Sequence, residues 1–212
     1  MSITLQISEA VQKGRAKIVK ELVEQAINEG VPAADILNQG MLAAMDIVGE
    51  KFKNNEVYVP EMLVAARAMN TGMELLKPHL VEAGIESIGK VALGTVAGDL
   101  HDIGKNLVRL MLEGKGIEVV DLGIDVPAEK FLEAHLEQGV NLIALSALLT
   151  TTMGEMKKVI DLFEEKGLRD KVQFMVGGAP ITQAFADSIG AEHYSADAAS
   201  AADAAKKVLL GA

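Results

Sequence analysis

The spacing of apolar residues changes period near residue 85, and that change limits the folds open to this chain more than any other feature. Up to about Gly84 the apolar positions recur at helical spacing, with no strand-like alternation. From about Lys90 they fall into short runs of strand length separated by helical stretches. The break at Ile85 to Gly89 predicts two domains, 1–88 and 89–212.

In the first half a helix is expected from about Lys13 to Glu29, stopped by Gly30, and a second begins at Pro32. Met41, Met45, Val48 and Phe52 fall on one face of it. Asn54 and Asn55 mark a turn. Pro60 then opens a helix with Met62, Ala65, Ala66, Met69 and Met73 along one side, and Pro78 should kink or end it. About four helices result, enough for a bundle. Flexible methionines are first of all gap-fillers in such a core.

In the second half the candidate strands are Lys90 to Ala97, Ile117 to Leu122, Leu142 to Ala147, Val172 to Val176 and a weak one near Glu192 to Ser195. Helical stretches from about Ile103, Pro127, Thr152, Pro180 and Asp197 follow them in strict alternation. Strands apolar on both faces, alternating with helices, require a parallel sheet covered on both sides. The fold class is therefore α/β: a four-helix bundle followed by a flavodoxin-like (Rossmann-type), doubly wound, five-stranded parallel sheet. Ligands of such sheets bind beyond the carboxyl ends of the strands.

Composition removes several classes of function. The chain has 212 residues and no cysteine, so disulfides, thiolate nucleophiles and Cys-based metal sites are excluded. A net charge of −10 argues against a nucleic-acid partner, and 3% aromatic residues offer no base-stacking platform. No apolar run reaches the roughly 20 residues that span a bilayer, and the N-terminus lacks the order of a signal peptide. No membrane partner and a cytoplasmic location are the expectation.

Chemistry is to be sought where the strands end. "GDLHDIGKN" follows the first strand, "SALLTTTM" the third, "GGAPIT" the fourth, and "EHYSADAA" surrounds the fifth. Asp99 and His101 stand two apart in a turn, so their side chains can meet; a carboxylate that takes one ring proton leaves the other ring nitrogen for a metal. A loop histidine beside helix-capping aspartates, Asp99 or Asp102, would read the same in isolation. His79, His135 and His193 lie in helical or surface contexts and read as structural or solvated. Ser146, Thr150, Thr151 and Thr152 put four hydroxyls within seven residues, and Thr151 or Thr152 is expected to cap the next helix. Gly177 and Gly178 are a plain turn or a groove free of side chains.

Zinc fits poorly, because it draws on three or four protein ligands. A metal held by its own cofactor needs only one. A dinucleotide site would need GxGxxG, which "GDLHDIG" does not supply. A phospho-acceptor receiver domain would want an aspartate at the third strand end, where Ser146 and Leu148 stand.

Asp99-x-His101-x-x-Gly104, Ser146-x-Leu148 and Gly177-Gly178, in order at successive strand ends, resemble the signature of cobalamin-binding proteins. The helical half, including "VYVPEMLVAARAM", resembles the cap of methyl-carrying corrinoid proteins and of methionine synthase, so the likeness runs from about Ser8 to Leu210. It implies a cobalamin or related corrinoid cofactor. His101 would be the lower ligand of cobalt, replacing the cofactor's own base, and Asp99 its hydrogen-bond partner. The whole turn Gly98, Asp99, Leu100, His101, Asp102, Ile103 and Gly104 would line the corrin. The displaced nucleotide tail would lie in a slot bounded by Ser146, Leu148, Thr150, Thr151, Gly177 and Gly178, with Tyr194 and Ala198 near its inner end. Thr152 stands where methionine synthase has a serine that completes a relay with the histidine and aspartate, so Asp99, His101 and Thr152 are the candidate catalytic group. His101 would have to bind and release cobalt, the pair taking up a proton on release.

The same likeness implies that the cap covers the methyl-bearing face and moves aside by hinging near Ile85 to Gly89. It also implies partners: a substrate-specific methyltransferase, an acceptor methyltransferase such as one using tetrahydrofolate, and a reductive activase. Two other cobalamin-binding roles are a mutase subunit, for which a helical cap would be in the way, and a sensor, for which the chain has no DNA-binding domain.

Overall fold

In the computed structural model, which describes residues 2–211, the chain forms two compact units. One comprises the residues up to Ser87 together with Gly114–Gly116, the other Ile88–Glu113 and the residues from Ile117 onward.

The helical unit contains α1 (Ile3–Gln12), α2 (Ala16–Asn28), a short turn α3 (Ala33–Asp35) running into a π-helix (Ile36–Leu42), α4 (Ala43–Lys53) and α5 (Val59–Glu82). α1 supplies the bundle's remaining long helix; the Ser2 hydroxyl caps it by accepting from Leu5 N. Ile7, Val19, Met41, Met45, Met62 and Leu76 are fully buried, so these methionines are core. α5 approaches its neighbours closely because its inner face is small: a Cβ on Gly72 would lie 2.7 Å from Met41 Cε and 2.9 Å from Val19 Cγ1. The expected break at Pro78 does not occur, and α5 continues through it to Glu82. Pro78 and Glu74 are both exposed, so the carbonyl that the proline leaves without a donor can reach water.

The α/β unit alternates strands and helices throughout. β1 (Lys90–Val96), β2 (Glu118–Val126), β3 (Leu142–Ser146), β4 (Gln173–Gly177) and β5 (His193–Tyr194) form one sheet in the order β2-β1-β3-β4-β5. Every pairing is parallel. The chain leaves β1 toward β2 on one side and returns to β3 on the other, which puts the topological switch point between β1 and β3. α6 (Ile103–Glu113), α7 (Ala128–Gln138), α8 (Met153–Glu165), α9 (Gln183–Ile189) and α10 (Ala198–Leu210) are the connecting and closing helices.

β2 runs on to Val126 rather than stopping at Leu122, because its pairing with β1 slips twice. The step Leu93 to Gly94 is matched by Asp121 to Gly123, and Gly94 to Val96 by Gly123 to Val126. Each slip adds one residue to β2 and bulges this edge strand outward.

Phe131, Phe163 and Phe174 are fully buried in one cluster, and Phe163 and Phe174 meet edge to face at 5.3 Å. His135 belongs to this framework: its Nδ1 lies 2.8 Å from Val140 O and its ring 5.8 Å from that of Phe163. Replacing Phe163 by Ala is expected to destabilise the α/β unit by about 3–5 kcal/mol. Urea unfolding followed by circular dichroism reads this as a lower midpoint, and an unchanged midpoint would contradict the ring's place in the core.

Candidate functional site

The carboxyl ends of β1 and β3 are tied together by one buried side chain. Asp99 has no exposed surface, and both of its oxygens are occupied. Oδ1 accepts from His101 N at 3.1 Å and lies 2.6 Å from His101 Nδ1. Oδ2 accepts from Leu148 N at 2.8 Å, Leu149 N at 3.2 Å and the Thr152 hydroxyl at 2.8 Å. Burial pushes the Asp99 carboxyl up, but the hydrogen bonds from Leu148, His101 and Thr152 outweigh it and hold the group well below the usual carboxylate range. Asp99 is therefore ionised.

An ionised carboxylate only accepts, so Nδ1 of His101 carries a proton, and in the neutral ring the lone pair is on Nε2. The His101 side chain is 49% exposed. Its main chain is fixed as well: the hydroxyl of Thr95, a fully buried residue of β1, donates to His101 O at 2.8 Å.

Thr152 corrects an expectation. It stands at the N-cap position of α8, but its hydroxyl makes no capping bond. The hydroxyl has one proton, and Asp99 Oδ2 and Leu149 O are both within reach at 2.8 and 2.9 Å. The charged acceptor is the stronger one. Asp102 does not cap α6 with its side chain either; its Oδ2 accepts from Asn106 Nδ2 at 3.2 Å.

The other turn residues open outward. Leu100 and Ile103 are 67% and 79% exposed, and nothing lies within 4 Å of a Cβ placed on Gly104. Across the switch point Leu148 and Leu149 are exposed too, which adds apolar surface at the strand ends. Thr150 and Thr151 are exposed beyond it and take no part in the Asp99 cluster. Ser146 sits between Thr95 and Gly177 in register. Gly178 has φ 131°, and a Cβ there would lie 1.8 Å from Ala147 O, so only glycine lets the two turns touch. Tyr194 is half-buried against the sheet's core, and Ala198, the first residue of α10, is buried; neither is drawn into the Asp99 cluster.

Thr95 and Asp125 are absent from the set expected from sequence. Thr95 could have been suspected as the one hydroxyl in an apolar strand. Asp125 could not, because its position depends on the slips in β2.

Among the described residues no group of three or more His, Cys, Asp or Glu could hold an ion. One free imidazole nitrogen, apolar surface at the strand ends and a turn that excludes side chains suit a metal that arrives inside its own flat, largely apolar ring. Comparison with known proteins agrees. Residues 89–208 match the model of a B12 binding domain, and residues 5–77 match a second model of the same description. A corrinoid protein of Desulfitobacterium hafniense is 39% identical over 99% of this chain and 98% of its own length. The chain belongs to the B12-binding corrinoid proteins.

Another relative, dimethylamine corrinoid protein 3 of Methanosarcina acetivorans, is 43% identical over 97% of this chain and 96% of its own. Among solved structures, the methanol:cobalamin methyltransferase complex of Methanosarcina barkeri contains a chain with TM-score 0.89 and 32% identity, over 99% of this chain and 80% of that one. A cobalamin-binding protein from D. hafniense aligns with TM-score 0.80 and 29% identity, over 97% and 98%. The cofactor of this corrinoid protein is cobalamin or a related corrinoid.

Two outcomes follow for the site. Because the folded pKa of Asp99 is depressed, its contribution to stability is present above the ordinary carboxylate range and is lost as pH falls through the lower folded value. Asp99→Asn, whose amide cannot accept from every donor around it, is expected to cost about 1–3 kcal/mol at pH 7, with the gap to the parent closing in acid. Denaturant titrations at several pH values check it. Gly178→Ala is expected to cost about 1–3 kcal/mol by the same titration at pH 7, because the strained backbone and the Ala147 carbonyl must both give.

Proposed function

We propose that this corrinoid protein carries a methyl group from a substrate-specific methyltransferase to an acceptor methyltransferase, such as one using tetrahydrofolate, and is reactivated by a reductive activase in the cytoplasm. One observation carries the reading: His101 Nδ1 is held at 2.6 Å by a fully buried carboxylate while the imidazole side chain itself remains 49% exposed. That is the preparation of a single axial ligand. When bound, the corrinoid supplies a cobalt centre that accepts the methyl group from one partner and yields it to the other.

The chain's own residues do the rest. His101 would hold the cobalt through Nε2 in place of the cofactor's base, and Asp99 fixes the tautomer. Asp99 stays in place, because Leu148, Leu149 and Thr152 hold its second oxygen independently of the ring. The displaced tail would be held by Ser146, Leu148, Thr150, Thr151, Gly177 and Gly178, with Tyr194 and Ala198 at its inner end, and the turn Gly98 to Gly104 would line the ring.

The named relatives suggest the donor. Dimethylamine and trimethylamine corrinoid proteins of Methanosarcina acetivorans are 43% and 40% identical to this chain, which favours a methylamine, with methanol the next candidate from the structural match.

Purified with cobalamin, the protein is expected to be coloured, with a spectrum showing the cofactor's own base displaced by histidine. His101→Ala should remove the histidine-bound spectrum and slow methylation by about 10–100-fold. A colourless protein that fails to take up added cobalamin, or a His101→Ala variant with unchanged spectrum and rate, would overturn the reading.

A further inference from the structure

The turn that carries Asp99 and His101 is gripped from a second side, by the bulged end of β2. Asp125 lies in the second slip of the β1–β2 register, with φ 51°, one of two non-glycine residues at positive φ among those described. Aspartate tolerates that conformation better than most residues, yet it remains a cost that surrounding structure has to offset. The conformation has a visible result. Asp125 Oδ1 accepts from Gly98 N at 2.6 Å, and Asp125 N donates to Asp99 O at 3.0 Å. Side chain and main chain of one residue thus bracket the peptide groups just before the ligand turn.

The bulge is itself anchored. At the first slip Asp121 Oδ1 accepts from Gly123 N at 3.0 Å and from the buried Lys105 of α6 at 2.6 Å, while Arg109 donates to Oδ2 at 3.1 Å. β2 is thereby pinned to α6, the helix that begins two residues after His101. Asp99 is bound through its carboxylate on the β3 side and through its carbonyl on the β2 side. Asp125 is exposed, so folding alone gives no reason to place a strained aspartate there.

We propose that Asp125 is a positioning residue: through Gly98 and the Asp99 carbonyl it sets the height of the ligand turn and so the reach of His101 Nε2. This rests on His101 being the cobalt ligand. Asp125→Gly keeps the backbone conformation and the N–H to Asp99 O but deletes the carboxylate, whereas Asp125→Asn keeps an oxygen that Gly98 can donate to.

The test uses the full chain. In the cofactor-free protein, amide hydrogen exchange at Gly98 should speed up in Asp125→Gly and stay near the parent rate in Asp125→Asn. In the protein made with nitrogen-15-labelled histidine, loaded with cobalamin and reduced to cobalt(II), the doublet splitting of the labelled nitrogen in the electron paramagnetic resonance spectrum counts the histidine-bound fraction, because the cofactor's own unlabelled base gives a triplet. Asp125→Gly should lower the bound-to-free ratio about tenfold, as expected for the loss of one charge-assisted hydrogen bond, at an unchanged thermal midpoint. Asp125→Asn should restore most of it. His101→Ala is the reference: if the parent shows no doublet from labelled histidine, or the variant keeps it, the ligand assignment fails and the exchange arm reports on Asp125 alone. A parent-like ratio or unchanged Gly98 exchange in Asp125→Gly would overturn the proposal. So would an Asp125→Asn ratio as low as that of Asp125→Gly.

Discussion

Everything at the switch point depends on one ionised carboxylate that no water reaches. A buried charge is tolerated only when donors replace its hydration, and Asp99 collects them from both sides of the divide. His101 supplies two from its own turn, and Leu148, Leu149 and Thr152 supply three from the turn after β3. The charge ties two strand ends that the chain connects only through α6, β2 and α7. It also decides the chemistry of the imidazole, because the same oxygen that satisfies the backbone of His101 dictates which ring nitrogen keeps its lone pair.

The turn is held on three sides by different means. β1 contributes the Thr95 hydroxyl to the carbonyl of His101, β3 the donors to Asp99, and β2 the bracket around Gly98. Such support fixes the main chain beneath the half-exposed imidazole from three separate elements.

How far this could be read from sequence follows from which forces were local. Alternating apolar runs revealed the sheet, since periodicity is a property of neighbouring residues. The Asp99–His101 pair was legible because two residues in one turn must be close. Thr152's tie to Asp99 was legible only through the family resemblance: from the residues alone a hydroxyl at a helix start reads as a cap, and the partner lies 53 positions away in sequence. Asp125 was invisible for a related reason, because strand slips leave no mark in composition. Pro78 does not end α5, because tertiary packing of the helix outweighs one lost hydrogen bond on an exposed side, which no local signal reports.

At Gly178 the main chain of the fourth strand's turn is pressed against the carbonyl of Ala147 with no room for a single added carbon. The floor of any groove there consists of peptide groups, which are the same whatever the sequence. Such a floor cannot be retuned by point substitution. Under the proposed placement of the tail, discrimination between one tail and another therefore rests with the side chains of the walls, Ser146, Leu148 and Tyr194.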